Sequence, residues 1–159
     1  NCKRGDIIAI IFITGMSGVG TSSILESLKK EGYNVVDTDY GYTKYDYEIK
    51  EVIWDESKIT QLIETYKDSD LFISGCYSNQ GKFYQYFDYI VLITARLDVM
   101  LERVAKRVSN PYGKSPKEIT EIIDNYYHVL PLLRKRADLL IDTTDKKNTA
   151  VCDILKNLL

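Results

Sequence analysis

The chain has 159 residues, 45% of them apolar and 28% charged, ordinary for a globular protein and far from the composition of a disordered one. Such a length fits one domain and can bury roughly 70% of its unfolded surface. A net charge of −2 and a pI near 5.5 argue against nucleic acid or a membrane surface as partner, since both demand a basic face. Cys2, Cys76 and Cys152 lie far apart and His128 is the lone histidine. That argues against a zinc cluster and fits a reducing, cytoplasmic setting.

The first residues, "NCKRGD", read as an added or upstream extension over 1–6. The apolar run Ile7–Ile13 is too short to span a bilayer. A glycine loop follows at once, so Ile7–Thr14 is expected to be a buried strand and not a signal-peptide core. The loop, "TGMSGVGTSS", places Gly15, Gly20 and Ser22 at the spacing of a phosphate-binding P-loop, G-x-x-x-x-G-K-[ST]. Gly15, Met16, Ser17, Gly18, Val19, Gly20, Thr21, Ser22 and Ser23 form the candidate cradle. Its backbone N–H groups and the helix dipole behind them suit an anion. Ser22 falls where a Mg²⁺-binding hydroxyl belongs.

Thr21 is the departure, standing where the motif has lysine. Threonine brings no charge to the transferring phosphoryl group, so the rate is expected to suffer by about 10²–10³ unless another cation substitutes. Binding is expected to suffer less, because the backbone amides remain.

Downstream, "SSILESLKKEG" is expected to be a helix burying Ile24, Leu25 and Leu28 and ending at Gly32. The strand Asn34–Asp37 then leads into Asp39. Both carboxylates stand at the carboxyl edge of the sheet, where ligands of open α/β folds bind. One can hold a Mg²⁺-bound water and the other can orient an acceptor hydroxyl. "YGYTKYDYEIKEVIW", Tyr40 to Trp54, has no clean period. Its tyrosines 40, 42, 45 and 47 either pave a ligand pocket or decorate a surface loop.

A helix over "SKITQLIETYK", with Ile59, Leu62, Ile63 and Tyr66 in phase, precedes the strand Leu71–Ser74. Gly75, Cys76, Asn79 and Gln80 follow at the same sheet edge and are candidate substrate contacts. Cys76 is expected to be a buried small residue and not a nucleophile, with no histidine nearby in sequence to activate it. After the strand Tyr89–Thr94, "LDVMLERVAKRV" places Val99, Met100, Val104 and Val108 inward and Arg103 and Arg107 on a neighbouring stripe. The loop to Ser115 carries Lys114, so residues 107–117 have the make-up of a lid over phosphates. Arg107 and Lys114 are the candidates to supply the charge that Thr21 lacks.

Ser115, Pro116 and Glu118 open the next helix as a capping box, and Pro131 is expected to kink it. A last strand, Leu139–Asp142, brings Asp142, Thr143 and Thr144 beside the P-loop as candidate purine contacts, and "TAVCDILKNLL" closes the chain as a helix. His128 has no nameable partner and reads as structural. Strands alternating with helices imply an α/β domain with a parallel sheet covered on both faces.

Together these elements resemble the shikimate-kinase and nucleoside-monophosphate-kinase group of P-loop kinases, over Ile7 to Leu159. The pattern "SGCYSNQGKFY" with "NPYGKSP" is similar to small bacterial ATP-binding proteins described as kinase-like. The resemblance implies a three-layer P-loop fold with a five-stranded parallel sheet in the order 2-3-1-4-5. It implies ATP with Mg²⁺ as phosphoryl donor, a small-molecule acceptor, and a monomer or small homo-oligomer. By position Asp37 resembles the metal-side aspartate, Asp39 the substrate-side one, Arg103 the arginine that stacks on adenine, and Arg107 the lid arginine on the phosphates. Ser74-Gly75-Cys76 replaces the three glycines of shikimate kinases, and Val129 stands in place of their carboxylate-binding arginine. The fold and nucleotide site carry over from the resemblance and the acceptor does not: the expected function is ATP-dependent transfer of the γ-phosphoryl group to a small-molecule hydroxyl or phosphate acceptor, with catalysis led by Asp39, Arg107 and Lys114. A catalytically weak nucleotide-binding module and a slow nucleotide hydrolase are the alternatives.

Overall fold

The computed structural model describes residues 8–108 and 110–159. Residues 1–6 (with Cys2), Ile7, the expected start of the first strand, and Ser109, in the expected lid segment, lie outside the described residues. Five parallel strands form the sheet: β1 (Ile10–Gly15), β2 (Val35–Asp37), β5 (Leu71–Ser74), β6 (Tyr89–Thr94) and β7 (Leu139–Asp142). They lie in the order β2-β5-β1-β6-β7. Counting only the strands of this sheet, that is 2-3-1-4-5, as expected.

The central strands are continuous apolar runs because both faces are covered. Ile11 and Ile13 point into one cluster with Ile24, Leu28, Val151 and Leu155, from α1 (Thr21–Lys30) and α6 (Asn148–Lys156). Ile10 and Phe12 point into the other, with Trp54, Ile59, Phe83 and Phe87. Phe12 stacks on Phe87 at 4.8 Å between ring centroids and meets Trp54 edge-on at 5.5 Å, geometries that aromatic pairs favour.

Helix boundaries follow their caps. Asp55 accepts the Lys58 N–H at the start of α2 (Glu56–Tyr66), and Ser115 accepts the Glu118 N–H at the start of α4 (Pro116–His128). Gly32 takes φ +93° just past α1, the left-handed turn that ends helices. Around Pro131 the expected kink is a break: α4 ends at His128 and α5 (Leu130–Arg136) starts anew after Val129.

Two expectations need correction. Val108 is 96% exposed, because α3 (Leu97–Lys106) ends before it and the helical period no longer applies. The stretch Tyr40–Trp54 contains an antiparallel hairpin, β3 (Thr43–Asp46) with β4 (Glu51–Trp54). Tyr45 and Tyr47 are exposed on it and Tyr40 is exposed just ahead of it, which favours the surface alternative over a pocket, while Tyr42 packs against the cluster around Trp54.

Candidate functional site

The carboxyl ends of β1, β2, β5 and β7 converge on one edge of the sheet, and each delivers a loop there. β1 runs into the P-loop. Gly15 is needed because a Cβ there would lie 2.5 Å from the Ile93 carbonyl on β6. Gly18 and Gly20 adopt φ of +85° and +97°, open to glycine at no steric cost. Gly20 caps α1 with no side-chain hydrogen bond, and the first turn holds no acidic residue. A Cβ on Gly20 would meet nothing within 4 Å. No side chain caps the first N–H groups of α1, which leaves them available to an anion. Met16, Ser17 and Thr21 are half-buried, Val19 is buried, and Ser22 and Ser23 are exposed on the first turn.

β2 delivers the two aspartates. Asp37 pairs in register with Ser74 of β5, and its Oδ1 accepts the Asp39 N–H at 3.0 Å. Between them Thr38 is fully buried. Its hydroxyl donates to the Ser74 carbonyl at 2.6 Å and accepts the Trp54 indole N–H at 2.8 Å. Thr38 and Trp54 close in on Gly75, where a Cβ would sit 2.5 Å from the Thr38 hydroxyl and 3.1 Å from the indole. Gly75 is therefore a packing glycine as well as an edge residue.

The structure adds Tyr77, which the sequence reading missed. Its phenol donates a hydrogen bond to Asp39 Oδ1. Desolvation first, and then the bond to Asp39, push the phenol far above its ordinary value, so it stays protonated as a donor. Desolvation also raises Asp37, with the Asp39 charge adding and the Asp39 backbone N–H opposing. Being raised, the Asp37 carboxyl favours folding below its unfolded pKa, and that contribution is lost as pH rises through the folded value. Asp37→Asn is accordingly expected to melt at a higher temperature than the native chain at neutral pH, with the difference vanishing at the acid end. Thermal unfolding across pH checks this. The same variant is expected to blunt the Mg²⁺ dependence of nucleotide affinity, a trade of function against stability.

Several nominated contacts turn out to be struts. Gln80 is buried; its amide donates to Thr14 Oγ1 at 3.2 Å and to the Tyr84 hydroxyl at 2.8 Å, and its carbonyl accepts the Tyr77 N–H. Asn79 accepts the Trp54 N–H and donates to the Trp54 carbonyl and Glu56. Both amides have spent their donors on the fold, Asn79 by clamping the hairpin and Gln80 by holding the Tyr77 loop. Cys76 is exposed as a residue, where a buried one was expected, although its sulfur itself is desolvated. Desolvation, opposed by Thr14 and reinforced by Asp39, raises its thiol, which leaves it a poor nucleophile.

On the other side of the P-loop, Thr143 is buried beneath the loop, its hydroxyl committed to the Val19 carbonyl at 2.7 Å. The Thr144 hydroxyl, and after it the Thr144 N–H that Asp142 accepts, lower the Asp142 carboxyl. Thr144 Oγ1 accepts the Arg96 N–H. Asp142 and Thr144 border a small cleft of about 230 Å³ with Arg96, Asp145 and Lys146. Arg103 donates to Thr143 and reaches the carbonyls of Gly18 and Val19.

The two candidate cations of segment 107–117 bond to backbone carbonyls of that same segment. Arg107 donates to the carbonyls of Asn110 and Tyr112, and Lys114 Nζ donates to the Arg107 carbonyl at 2.6 Å. Gly113, at φ +93°, lies so close to Val104 and Ile122 that a Cβ would collide with both. The lid turn is thus tucked between α3 and α4. A larger hollow of about 670 Å³ lies between α2 and the 3-10 segment Gln80–Tyr86, lined by Glu56, Thr60, Ile63, Lys82 and Phe83; no nominated site residue borders it. Among the described residues no helix is long and apolar enough to cross a membrane.

A family model described as an AAA domain matches residues 11–124, from β1 through the lid into α4. No curated protein matches the chain. Among solved structures, the shikimate kinase of Acinetobacter baumannii in complex with shikimate superposes with a TM-score of 0.67 at 16% identity, covering 98% of this chain and 95% of that one. The shikimate kinase of Bacteroides thetaiotaomicron gives a TM-score of 0.63 at 15% identity, over 94% and 97% of the two chains. An uncharacterized Eubacterium ventriosum protein gives 0.58 at 12% identity, over 94% and 97%. Identities this low speak for the fold. With the strand order, they bear out the resemblance to the shikimate-kinase-like P-loop kinases at that level. A P-loop opening an uncapped helix, paired aspartates at the same sheet edge and a family match over most of the chain lead to one assignment: the chain belongs to the AAA-domain family, in a kinase-like P-loop fold shared with shikimate kinase.

Proposed function

We propose that this protein is an ATP- and Mg²⁺-dependent small-molecule kinase, acting in the cytoplasm as a monomer or small homo-oligomer. The observation that carries the reading is the uncapped α1 N-terminus behind Gly18 and Gly20, with Asp37 and Asp39 on the neighbouring strand end. Ser22 and Asp37 are the residues that would hold Mg²⁺. One hydroxyl and one carboxylate suit an ion that keeps several waters and takes its other ligands from phosphates, and when bound it offsets charge on the phosphates.

The chain's own work is positioning. Backbone N–H groups of the loop cradle the phosphates. Asp39, one oxygen of which is held by Tyr77, orients the acceptor hydroxyl with the other. As the acceptor oxygen bonds to the γ-phosphorus and the bridge to the β-phosphate breaks, the hydroxyl proton passes to Asp39 and on to solvent. The lid segment 107–117 excludes water from the transfer, with Arg107 and Lys114 available to the phosphates on closure. Val129 and Ser74-Gly75-Cys76 point to an acceptor other than shikimate. The inward bonds of Arg107 and Lys114, together with Thr21, favour as second reading a nucleotide-binding module with weak turnover.

A thermal-shift panel of nucleotides with Mg²⁺, followed by an acceptor panel with coupled ADP detection, tests the reading. Millimolar ADP, ATP and sulfate are expected to raise the melting temperature; no response to any of them would sink both readings.

A further inference from the structure

The P-loop is held from behind by an arginine. Arg103, in the last turn of α3, places Nη1 at 3.4 Å from the Gly18 carbonyl and 3.4 Å from the Val19 carbonyl. The same nitrogen donates to Thr143 Oγ1 at 3.0 Å, and Nη2 donates to the Thr143 carbonyl at 2.8 Å. Thr143, buried at 4% exposure, in turn donates its hydroxyl to the Val19 carbonyl. α3 comes so close that a Cβ on Gly18 would collide with the Met100 carbonyl. Every acceptor that Arg103 reaches here is thus P-loop backbone or the threonine that itself holds the loop.

The carbonyl of one residue and the N–H of the next share a rigid peptide plane and point in opposite directions. Fixing the carbonyls of Gly18 and Val19 therefore fixes the N–H groups of Val19 and Gly20, on the opposite side of the loop. A guanidinium suits this task, because its donors form a rigid fork and its charge strengthens the bonds. We propose that Arg103 and Thr143 form a latch that preorganises the phosphate-binding amides, with Arg103 as a positioning residue in a loop that lacks its lysine. The inference rests on reading Gly15–Ser23 as a phosphate loop. It differs from a stacking role on the base in one respect: its effect follows the phosphates and is independent of the base.

Calorimetry with Mg²⁺ and two probes, ADP and inorganic pyrophosphate, separates the cases, using the native chain, Arg103→Met, Arg103→Lys and Thr143→Val. Arg103→Met is expected to lose about tenfold or more in affinity for both probes, the scale of hydrogen bonds from a charged group. Arg103→Lys is expected to recover part of the loss, since one ammonium cannot bridge both partners. Thr143→Val, nearly equal in shape, is expected to lose several-fold on both probes, and it carries the test if Arg103→Met fails to fold. Loss for ADP with pyrophosphate unchanged would assign Arg103 to the base and overturn the latch. Folded variants with native affinity for both probes would overturn it too, as would a native chain that binds ADP but not pyrophosphate. A native chain that binds neither would sink the phosphate loop itself, and the latch with it.

Discussion

Asp39→Asn is expected to lower kcat by about 10²–10⁴, the usual weight of a positioned general base, while leaving the ADP dissociation constant within about twofold. The carboxylate stands beyond the P-loop, is exposed, and bonds to Tyr77 and not to loop backbone. Its proposed partner is the acceptor, which ADP binding does not require. The amide can still accept the Tyr77 hydrogen bond but cannot take the acceptor's proton, so the geometry survives and the chemistry does not. Asp37→Asn supplies the contrast, because its expected deficit lies in the Mg²⁺ dependence of binding. Steady-state turnover beside calorimetry on both variants decides the matter. Equal loss of nucleotide affinity in the two would contradict the division of labour between them.

The sheet was legible because its strands are runs such as Leu71–Ser74 and Tyr89–Thr94, apolar throughout for want of a solvent face. The hairpin was not. Of β3 and β4 only Ile53 and Trp54 are buried, so most of the ribbon carries no alternation to read. The cap at Ser115 is local and could be seen; the roles of Asn79, Gln80 and Thr143 are not local. Asn79 bonds to a residue 25 positions away, Gln80 to one 66 away and Thr143 to one 124 away. A polar residue at the carboxyl edge of a sheet serves a ligand or the protein's own polar groups equally well in sequence terms, and all three bond to the fold: Asn79 and Thr143 to distant backbone, Gln80 to the hydroxyls of Thr14 and Tyr84. Tyr77 was missed for the converse reason. Its only signal was a place two residues beyond Gly75, in a loop that ends near the aspartates. Arg107 was assigned a helical stripe that stops one residue too soon.

Thr21→Lys is expected to raise turnover by about 10²–10³, the value of one preorganised donor where charge develops in the transition state. The sequence alone favoured the opposite outcome, with Arg107 and Lys114 as substitutes. In the structure those two cations bond to carbonyls of Arg107, Asn110 and Tyr112, so recruiting them requires breaking three hydrogen bonds of the lid turn. Arg103 lies closer, but on the carbonyl side of the loop. It can fix the amides that grip a bound phosphate, yet its charge faces away from the phosphoryl group in flight. Binding and catalysis thus part company in this loop: the latch preserves the first, and Arg107 and Lys114 can supply the second only by leaving their carbonyl partners. A lysine at position 21, on the first turn of α1, restores that charge on the ligand side without disturbing Arg103. ADP affinity is accordingly expected to rise much less than kcat, and Arg107→Ala with Lys114→Ala to lower turnover in the native chain only modestly. ATP turnover measured for the native chain, Thr21→Lys and the double alanine variant reads all three. Unchanged turnover in Thr21→Lys, joined to collapse in the double alanine variant, would show that the lid opens its own hydrogen bonds on closure and delivers the missing charge after all.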